Sequence, residues 1–432
     1  MSLFSSLGTA ISGLSAQSRA LDNISDNVAN SQTVGFKRLD TAFEDLVAAM
    51  GGGQYSGGVT ASTISTADVQ GSIQQVDNPL ALALSGRGFF SVARPVTTPA
   101  LGETTFESRE LFSRAGDFKM NSQGYLANSS GDVLQGWAVS EDGSIDTARV
   151  EPIRATRAGL PPDPTSTITM SANLPSGAAT GLTGNTQAQV YDSLGSLQTV
   201  ALSWTKAAAD NTWTLDVTHP ETNGTSTSLG SFQVEFGTNG APAGTIGALR
   251  TAGGAAIGTF GSNDQAELSV NATLGGVVQP LTLNLGGYGG TDGVTQYAGA
   301  GYELRTVSQD GAPAGAFSSL AMQSDGQVVV SYDNGRSRTI AQVPVVTFAD
   351  PDSLERIDGQ AFVRTTGAGR QSTVAAGTAG AGTLQAAAIE GSNVDTAAEF
   401  AKLIVAQRAY SANTKIITTS DEMLQETINL KR

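Results

Sequence analysis

Two amphipathic helix patterns stand at opposite ends of this chain, with a long non-helical stretch between them. Helices of this length are marginal in water without packing, and neither has a helical neighbour in sequence. They must pair with each other, with copies of themselves, or with both; the plainer alternative is that they close a β-rich domain. In the first pattern Leu3, Leu7, Ala10, Leu14, Gln17, Leu21, Ile24 and Val28 alternate at spacings of four and three, a heptad seam interrupted only by Gln17. The pattern stops at Asn30, a residue type that tolerates the left-handed conformation ending many helices, and Gly35 follows. In the last, Ser392-Asn393-Val394-Asp395 resembles a capping box and Glu399 supports the first turn. Val405, Ala409, Ala412, Ile416, Met423 and Leu430 form its stripe, widened by Ile417, Leu424 and Ile428. The Ala content predicts close helix packing, and Lys431-Arg432 suit a helix C-terminus. Exposed apolar seams are a liability in a monomer, so the ends are expected to order fully only on assembly.

Between the helices the chain reads as all-β. Gly accounts for 52 of the 432 residues and punctuates short apolar runs. Gly86 to Val92 reads as a turn feeding a buried strand, and Asn121 to Gly124 and Gly131-Asp132 as further turns. Val190-Tyr191 and Val200 to Trp204 flank a turn at Asp192 to Gly195. Trp213, Leu215 and Val217 alternate as in a half-buried strand. The strongest hairpin signal is Gln327 to Tyr332, Asn334-Gly335, then Thr339 to Val345. Gly159 to Pro164 reads as a stiff extended connector. Gly237 to Gly261, Gly286 to Gly301 and Gly367 to Gly382 read as Gly- and Ala-rich connectors, the last a flexible lead into the final helix.

Chemistry is poorly supplied. Cysteine is absent, which excludes disulfides and thiolate catalysis. His219 is the only histidine, so neither a histidine metal site nor a Ser-His-Asp triad has its parts beyond that residue. No Gly-Lys dipeptide occurs, which excludes a Walker A loop, and Gly286 to Gly290 does not complete a dinucleotide fingerprint. Asp192, Asp325, Asp333, Asp350 and Asp352 lack EF-hand spacing and read as turn residues. The reading is a non-enzyme with no cofactor. A net charge of −15 disfavours nucleic acid. No apolar run is long enough for membrane insertion, and the N-terminus lacks the pattern of a cleaved signal peptide.

The stretch Leu21 to Lys37, with Asn23, Ile24, Asn27, Val28, Asn30, Thr33, Gly35 and Phe36, resembles the N-terminal signature of the flagellar rod and hook axial protein family. Gly391-Ser392-Asn393-Val394-Asp395, then Gln407-Arg408-Ala409-Tyr410-Ser411-Ala412-Asn413, then Asp421-Glu422-Met423-Leu424, is similar to its C-terminal signature. Asn78 to Ala83, Gly86 to Phe90 and Ser113 to Phe118 resemble the shared β-domain, and the large insert is closer to the hook members than to the shorter distal rod protein. The resemblance implies an α+β fold. The N- and C-terminal helices, in 1–45 and 385–432, would pair as a coiled-coil-like inner domain. Segments 46–75 and 362–384 would connect it to a middle β domain (76–160 and 302–361), with an outer β domain inserted at 161–301. It further implies a self-assembling homopolymer, a curved tube acting as a universal joint outside the cell. Its partners would be a cap protein, the distal rod protein, a junction protein and the flagellar type III export apparatus. The residues that would carry assembly are Leu7, Leu14, Leu21, Asn23, Ile24, Asn27, Val28, Asn30, Thr33, Gly35 and Phe36, and in the last helix region Asn393, Val394, Val405, Gln407, Arg408, Tyr410, Asn413, Ile416, Met423 and Leu424. The rival readings are a rod or junction protein of the same family, and an extracellular β-rich adhesin or carbohydrate-binding protein.

Overall fold

The N-terminal heptad becomes a helix, α1 (Leu3–Ala29), in the computed structural model, which describes residues 3–50, 53–96, 104–140, 142–220, 225–261 and 265–430. The C-terminal helix, α2, spans Thr396–Leu430 and packs against α1 within the one chain. Helices at both ends around a mainly-β middle are therefore as expected. Within the chain the two helices pack against each other, which is the first of the pairings the sequence leaves open. Among the described residues no helix is long and apolar enough to cross a membrane.

The α1 seam is rotated from the heptad reading. Ala10, Ala16, Ala20, Asn23, Ile24 and Asn27 are buried, whereas Leu7, Leu14, Leu21 and Val28 are half-buried. Small residues win the inner face because the backbones come close. A Cβ on Gly13 would lie 2.8 Å from Asn413 Nδ2 of α2. The capping signals also differ. Asp395, not Ser392, caps α2, its Oδ1 accepting from the amides of Ala397 (2.9 Å) and Ala398 (3.2 Å). Asn30 keeps a negative φ and donates its side-chain amide to Asp26 O at 2.9 Å; the left-handed turn falls at Gly35, φ 71°. Lys431-Arg432 lie outside the described residues, as do the side chains of Leu3, Ile428 and Leu430.

Residues 46–50 and 53–65, read as connector, belong to a long antiparallel pair of β1 (Leu39–Met50) and β2 (Gly53–Ser65), with a bulge between Leu46 and Val47. β2 lies along α1. Arg19 Nη1 donates to Ala61 O at 2.6 Å, and Val59 N donates to Ser12 Oγ at 3.1 Å.

The chain divides into two units: Met1–Arg157 with Ser319–Ser331 and Ser337–Arg432, and Ala158–Ser318 with Tyr332–Arg336. In the first, short antiparallel strands enclose Phe89, Phe112, Phe348 and Phe362. Their rings meet edge to face at centroid distances of 4.9 to 5.9 Å, the favoured arrangement for aromatic quadrupoles. Gly367 to Gly382, expected to be flexible, is instead tied down: Gln371–Val374 pairs with Val345–Phe348, and Ala368 is buried.

The second unit is a sandwich of a six-stranded and a four-stranded sheet. Alternate residues face inward around the fully buried Trp204 and Trp213. The hairpins at Asp192–Gly195 and Asn334-Gly335 form as expected. Gly237 to Gly261 is no connector, because Ile246–Thr251 and Ala256–Thr259 complete the six-stranded sheet. Its glycines occupy the turns, as at Gly237 (φ 64°) and Gly254 (φ 84°), while Ile246 and Leu249 between them are buried. Gly286 to Gly301 is likewise folded in, with Val294, Thr295 and Gln296 buried.

Candidate assembly interface

Where α1 ends, the chain must turn into β1, and the asparagines of the motif hold that junction. Asn27 is completely buried. Its Oδ1 accepts from Leu39 N (2.8 Å), while its Nδ2 donates to Leu39 O (2.8 Å) and to Glu399 Oε2 of α2 (3.1 Å). One side chain thereby completes the first residue of a strand as a neighbouring strand would, and ties it to the other helix. One turn earlier, Asn23 Nδ2 donates to Thr41 Oγ1 (2.8 Å) and Thr63 Oγ1 (3.2 Å), one on each arm of the hairpin. Asn393 does the same from the other side. It accepts from Arg38 N (2.7 Å) and donates to Val69 O (3.1 Å) and Thr66 O (3.2 Å). Lys402 of α2 bridges Asp40 of β1 (2.8 Å) and Glu399 (3.0 Å). Burial works against both charges. The bonds to Lys402 and Arg38 nonetheless hold the Asp40 carboxyl below its ordinary range, and those to Asp40 and Glu399 hold the Lys402 ammonium above its own.

Beneath this junction lies a charge cluster that sequence reading missed. Lys37, Glu390 and Arg114 have side chains at most 1% exposed. Glu390 Oε1 accepts from Lys37 Nζ (2.6 Å) and Gly71 N (2.8 Å), and Oε2 accepts from Arg114 Nη1 (3.0 Å). Lys37 Nζ also reaches Val69 O at 2.6 Å, and Arg114 Nη2 reaches Gly86 O at 2.9 Å. Arg114 lies over the Phe89 ring at 5.2 Å. Burial pulls both cations below their ordinary pKa, with Glu390 partly offsetting it. The only available signal was weak: Arg114 and Glu390 stand among apolar or small neighbours in a chain of low charge, Ser113-Arg114-Ala115 and Ile389-Glu390-Gly391, while Lys37 is followed by a second cation, Arg38.

Gly35 and Phe36 aim the chain into this cluster. A Cβ on Gly35 would lie 2.4 Å from Ala115 N, and Gly35 N donates to Glu390 O at 2.8 Å. Phe36 is buried beneath Arg356, whose guanidinium lies 4.3 Å from the ring centroid. Thr33 Oγ1 closes the turn onto Asn30 Oδ1 at 3.1 Å. The motif positions in this region are thus brought together within one chain.

The outer face of α2 is different. Val405 is 68% exposed, and Phe400, Ile404, Gln407, Arg408, Tyr410, Ile416 and Met423 are exposed too. Val394, Asn413 and Leu424 are half-buried. Phe43 and Leu46 of β1 and Ile64 of β2 are exposed apolar residues that the sequence reading did not single out. A groove of about 450 Å³ runs between α1, α2 and β1, lined by Ile24, Phe43, Lys402, Val405 and Ala409 among others. The two helices and their hairpin therefore present an apolar outer face on a rigidly cross-tied scaffold.

Comparison with known proteins agrees with this division of the chain. Residues 7–37 match the family "Flagella basal body rod protein", 157–312 the "Flagellar basal body protein FlaE D2 domain", and 385–430 the "Flagellar basal body rod FlgEFG protein C-terminal" family. The chain is 31% identical over 443 residues to the flagellar hook protein FlgE of Brucella abortus, with both chains covered completely. It is 31% identical over 439 residues to that of Rhizobium meliloti, again over the full length of both. With the Escherichia coli counterpart identity is 27% over 439 residues, covering 98% of this chain and 99% of that one. Among solved structures, the Helicobacter pylori flagellar hook protein FlgE2 shares the fold at a TM-score of 0.51 and 12% identity, covering 72% of this chain and 99% of that one.

Proposed function

This chain belongs to the flagellar hook protein family and is a structural subunit of the flagellar hook, and we propose that its two terminal helices with the β1–β2 hairpin are the element through which copies polymerise. The observation that carries this reading is the exposed apolar face of α2, with Phe400, Ile404 and Val405 turned outward from a scaffold whose inner face is already satisfied. Clustered exposed apolar residues of this kind mark a surface that meets a partner. Heterologous contacts that do not close into a ring generate a tube, and a second copy is the partner that a polymer always supplies.

In this reading the buried asparagines and the Lys37–Glu390–Arg114 cluster act one step back from the contact. They set the angle at which α1, α2 and the hairpin leave the β strands of the first unit. The assembly role of Asn23, Asn27, Asn30, Thr33, Gly35 and Phe36 is positional, and that of Val405, Tyr410 and Ile416 is direct contact. The polymer is a curved, flexible tube joining rod to filament as a universal joint. The cap, distal rod and junction proteins and the type III export apparatus are its partners; it is exported without a cleaved signal peptide and works outside the cell. It performs no catalysis.

The test is electron microscopy of purified full-length chain driven to assemble with a precipitating salt, beside a chain lacking residues 1–30 and 392–432. Curved hollow tubes from the first and soluble monomers from the second are expected. A full-length chain that stays monomeric with both helices protected from hydrogen exchange would mean the helices merely close their own unit.

A further inference from the structure

In an Asn-Gly pair the peptide nitrogen of the glycine has no side chain beside it. It is therefore well placed to attack the side-chain amide that precedes it. Two such pairs lie among the described residues, Asn239-Gly240 and Asn334-Gly335, and both belong to the second unit. Each sits in a turn with a left-handed glycine, at φ 86° for Gly240 and φ 79° for Gly335. The fold treats the two in opposite ways.

The attack uses three groups: the glycine N as nucleophile, the amide carbonyl as electrophile and Nδ2 as leaving group. At Asn334 all three are engaged. Oδ1 accepts from Arg336 N (3.0 Å), Nδ2 donates to Pro313 O (2.8 Å), and Gly335 N donates to Tyr332 O (3.2 Å). The side chain is also boxed in, since a Cβ on Gly315 would lie 2.7 Å from its Nδ2. Asn239 is held differently. It stands at φ 55°, so both central residues of its turn are left-handed, and the turn closes on Ala241 N, which donates to Thr238 O at 3.0 Å. Among the described residues nothing accepts from Gly240 N and nothing donates to Asn239 Oδ1. Asn239 Nδ2 reaches Gly247 O only at 3.3 Å and Thr238 Oγ1 only at 3.5 Å. Asn239 and Gly240 are both exposed, and a Cβ on Gly240 would meet nothing within 4 Å.

We infer that Asn239-Gly240 is a spontaneous modification site of the folded chain, where Asn239 becomes aspartate and isoaspartate, while the fold holds Asn334-Gly335 unreactive. Gly240 N gives its proton to water and bonds to Asn239 Cγ. The Cγ–Nδ2 bond breaks, and Nδ2 takes a proton from water and leaves as ammonia. Water then opens the cyclic imide on one side of its nitrogen or the other. Breaking the bond to Cγ leaves aspartate; breaking the bond to the main-chain carbonyl carbon leaves isoaspartate, with the chain running through Cγ. One water is consumed, one ammonia is released, and no oxidant or reductant takes part. Each event adds a negative charge to a chain already at −15. Isoaspartate also lengthens the main chain by one carbon, in a turn that packs closely: a Cβ on Gly247 would lie 2.6 Å from Thr238 Oγ1. The inference stands apart from the assembly reading, since it concerns the single chain.

The test is peptide mapping by mass spectrometry of the full-length chain after incubation in mildly alkaline buffer, with and without urea. Cleavage after glutamate separates Asn239 from the remaining Asn-Gly pair, Asn223-Gly224, which lies outside the described residues, because Glu235 stands between them. In urea Asn239 and Asn334 should lose their amides at similar rates, since glycine follows both. In the folded protein Asn239 should stay close to its urea rate, and Asn334 should slow by about tenfold or more, because its hydrogen bonds must break before the attack. If Asn239 slows on folding as much as Asn334 does, its turn protects it and the inference fails. It fails equally if Asn334 converts as fast as Asn239 in the folded chain, or if Asn239 keeps its amide in urea.

Discussion

Lys37, Glu390 and Arg114 leave two cations sharing one carboxylate in a site closed to water. Removing the shared partner strands both cations. Removing one cation leaves a matched pair. Glu390→Gln should therefore destabilise the first unit by about 3–5 kcal/mol, and Lys37→Met by clearly less. Urea denaturation of the dilute variants measures both, and equal losses would mean that the cluster is not organised around Glu390. Gly35→Ala is costly for a different reason. The backbone stands at φ 71° and the new methyl would meet Ala115 N at 2.4 Å. Backbone strain alone costs roughly 1–3 kcal/mol. Because the clash is with backbone, neighbouring side chains cannot relieve it, so the unfolding midpoint should fall clearly below that of the parent; a midpoint within error of the parent would refute that account.

At the scale of elements, the Asp40–Lys402 bridge joins β1 to α2 and has a defined pH range. Asp40 titrates below its unfolded value, so its contribution is present above that value and is lost as pH falls through the lowered folded one. Lys402 titrates above its unfolded value, so its contribution is present below that value and is lost as pH rises through the raised folded one. The bridge is partly exposed and worth only ~0.2–1 kcal/mol. The stability difference between the parent and Lys402→Met should be flat through neutrality and vanish at both extremes; a difference that persisted in strong acid would show that Lys402 works through packing. The two terminal helices were legible in sequence because their period is long and regular. Which face of α1 turns inward was not. Ala10 and Ile24 of the predicted heptad are buried, yet its leucines are only half-buried, and close approach of α2 and β2 favours Ala16 and Ala20 outside it, whose small side chains carry little signal. The β1–β2 hairpin escaped for a related reason. Its strands are padded with Ala, Ser, Thr and Gly, and its outward Phe43, Leu46 and Ile64 break the apolar-in, polar-out alternation by which half-buried strands are recognised. Asn27 shows the same limit at a single position. Its place in the motif was plain, but its partners are Leu39, twelve positions on, and Glu399, 372 positions away, a pairing that only the fold creates.

Among the described residues, each of the two units holds a buried hydrophobic cluster of its own. Trp204 and Trp213 lie in the second unit, and the third tryptophan, Trp137, belongs to the first. That distribution makes the two cores separately readable. In a Trp137→Phe background, tryptophan fluorescence reports the second unit alone, while far-ultraviolet dichroism at the helix band reports α1 and α2 in the first. Adding Glu390→Gln should lower the helix-reported midpoint, by several degrees for a loss of about 3 kcal/mol, and leave the fluorescence-reported midpoint where it was. If only the helix-reported midpoint falls, the helical element can be strained or repacked without loosening the sandwich. The curved tube proposed above would need that property, since its subunits would occupy different lengths along the inside and outside of the bend. If both midpoints fell together, the units would unfold as one, and the polymer would have to bend by deforming the contacts between subunits rather than the subunits themselves.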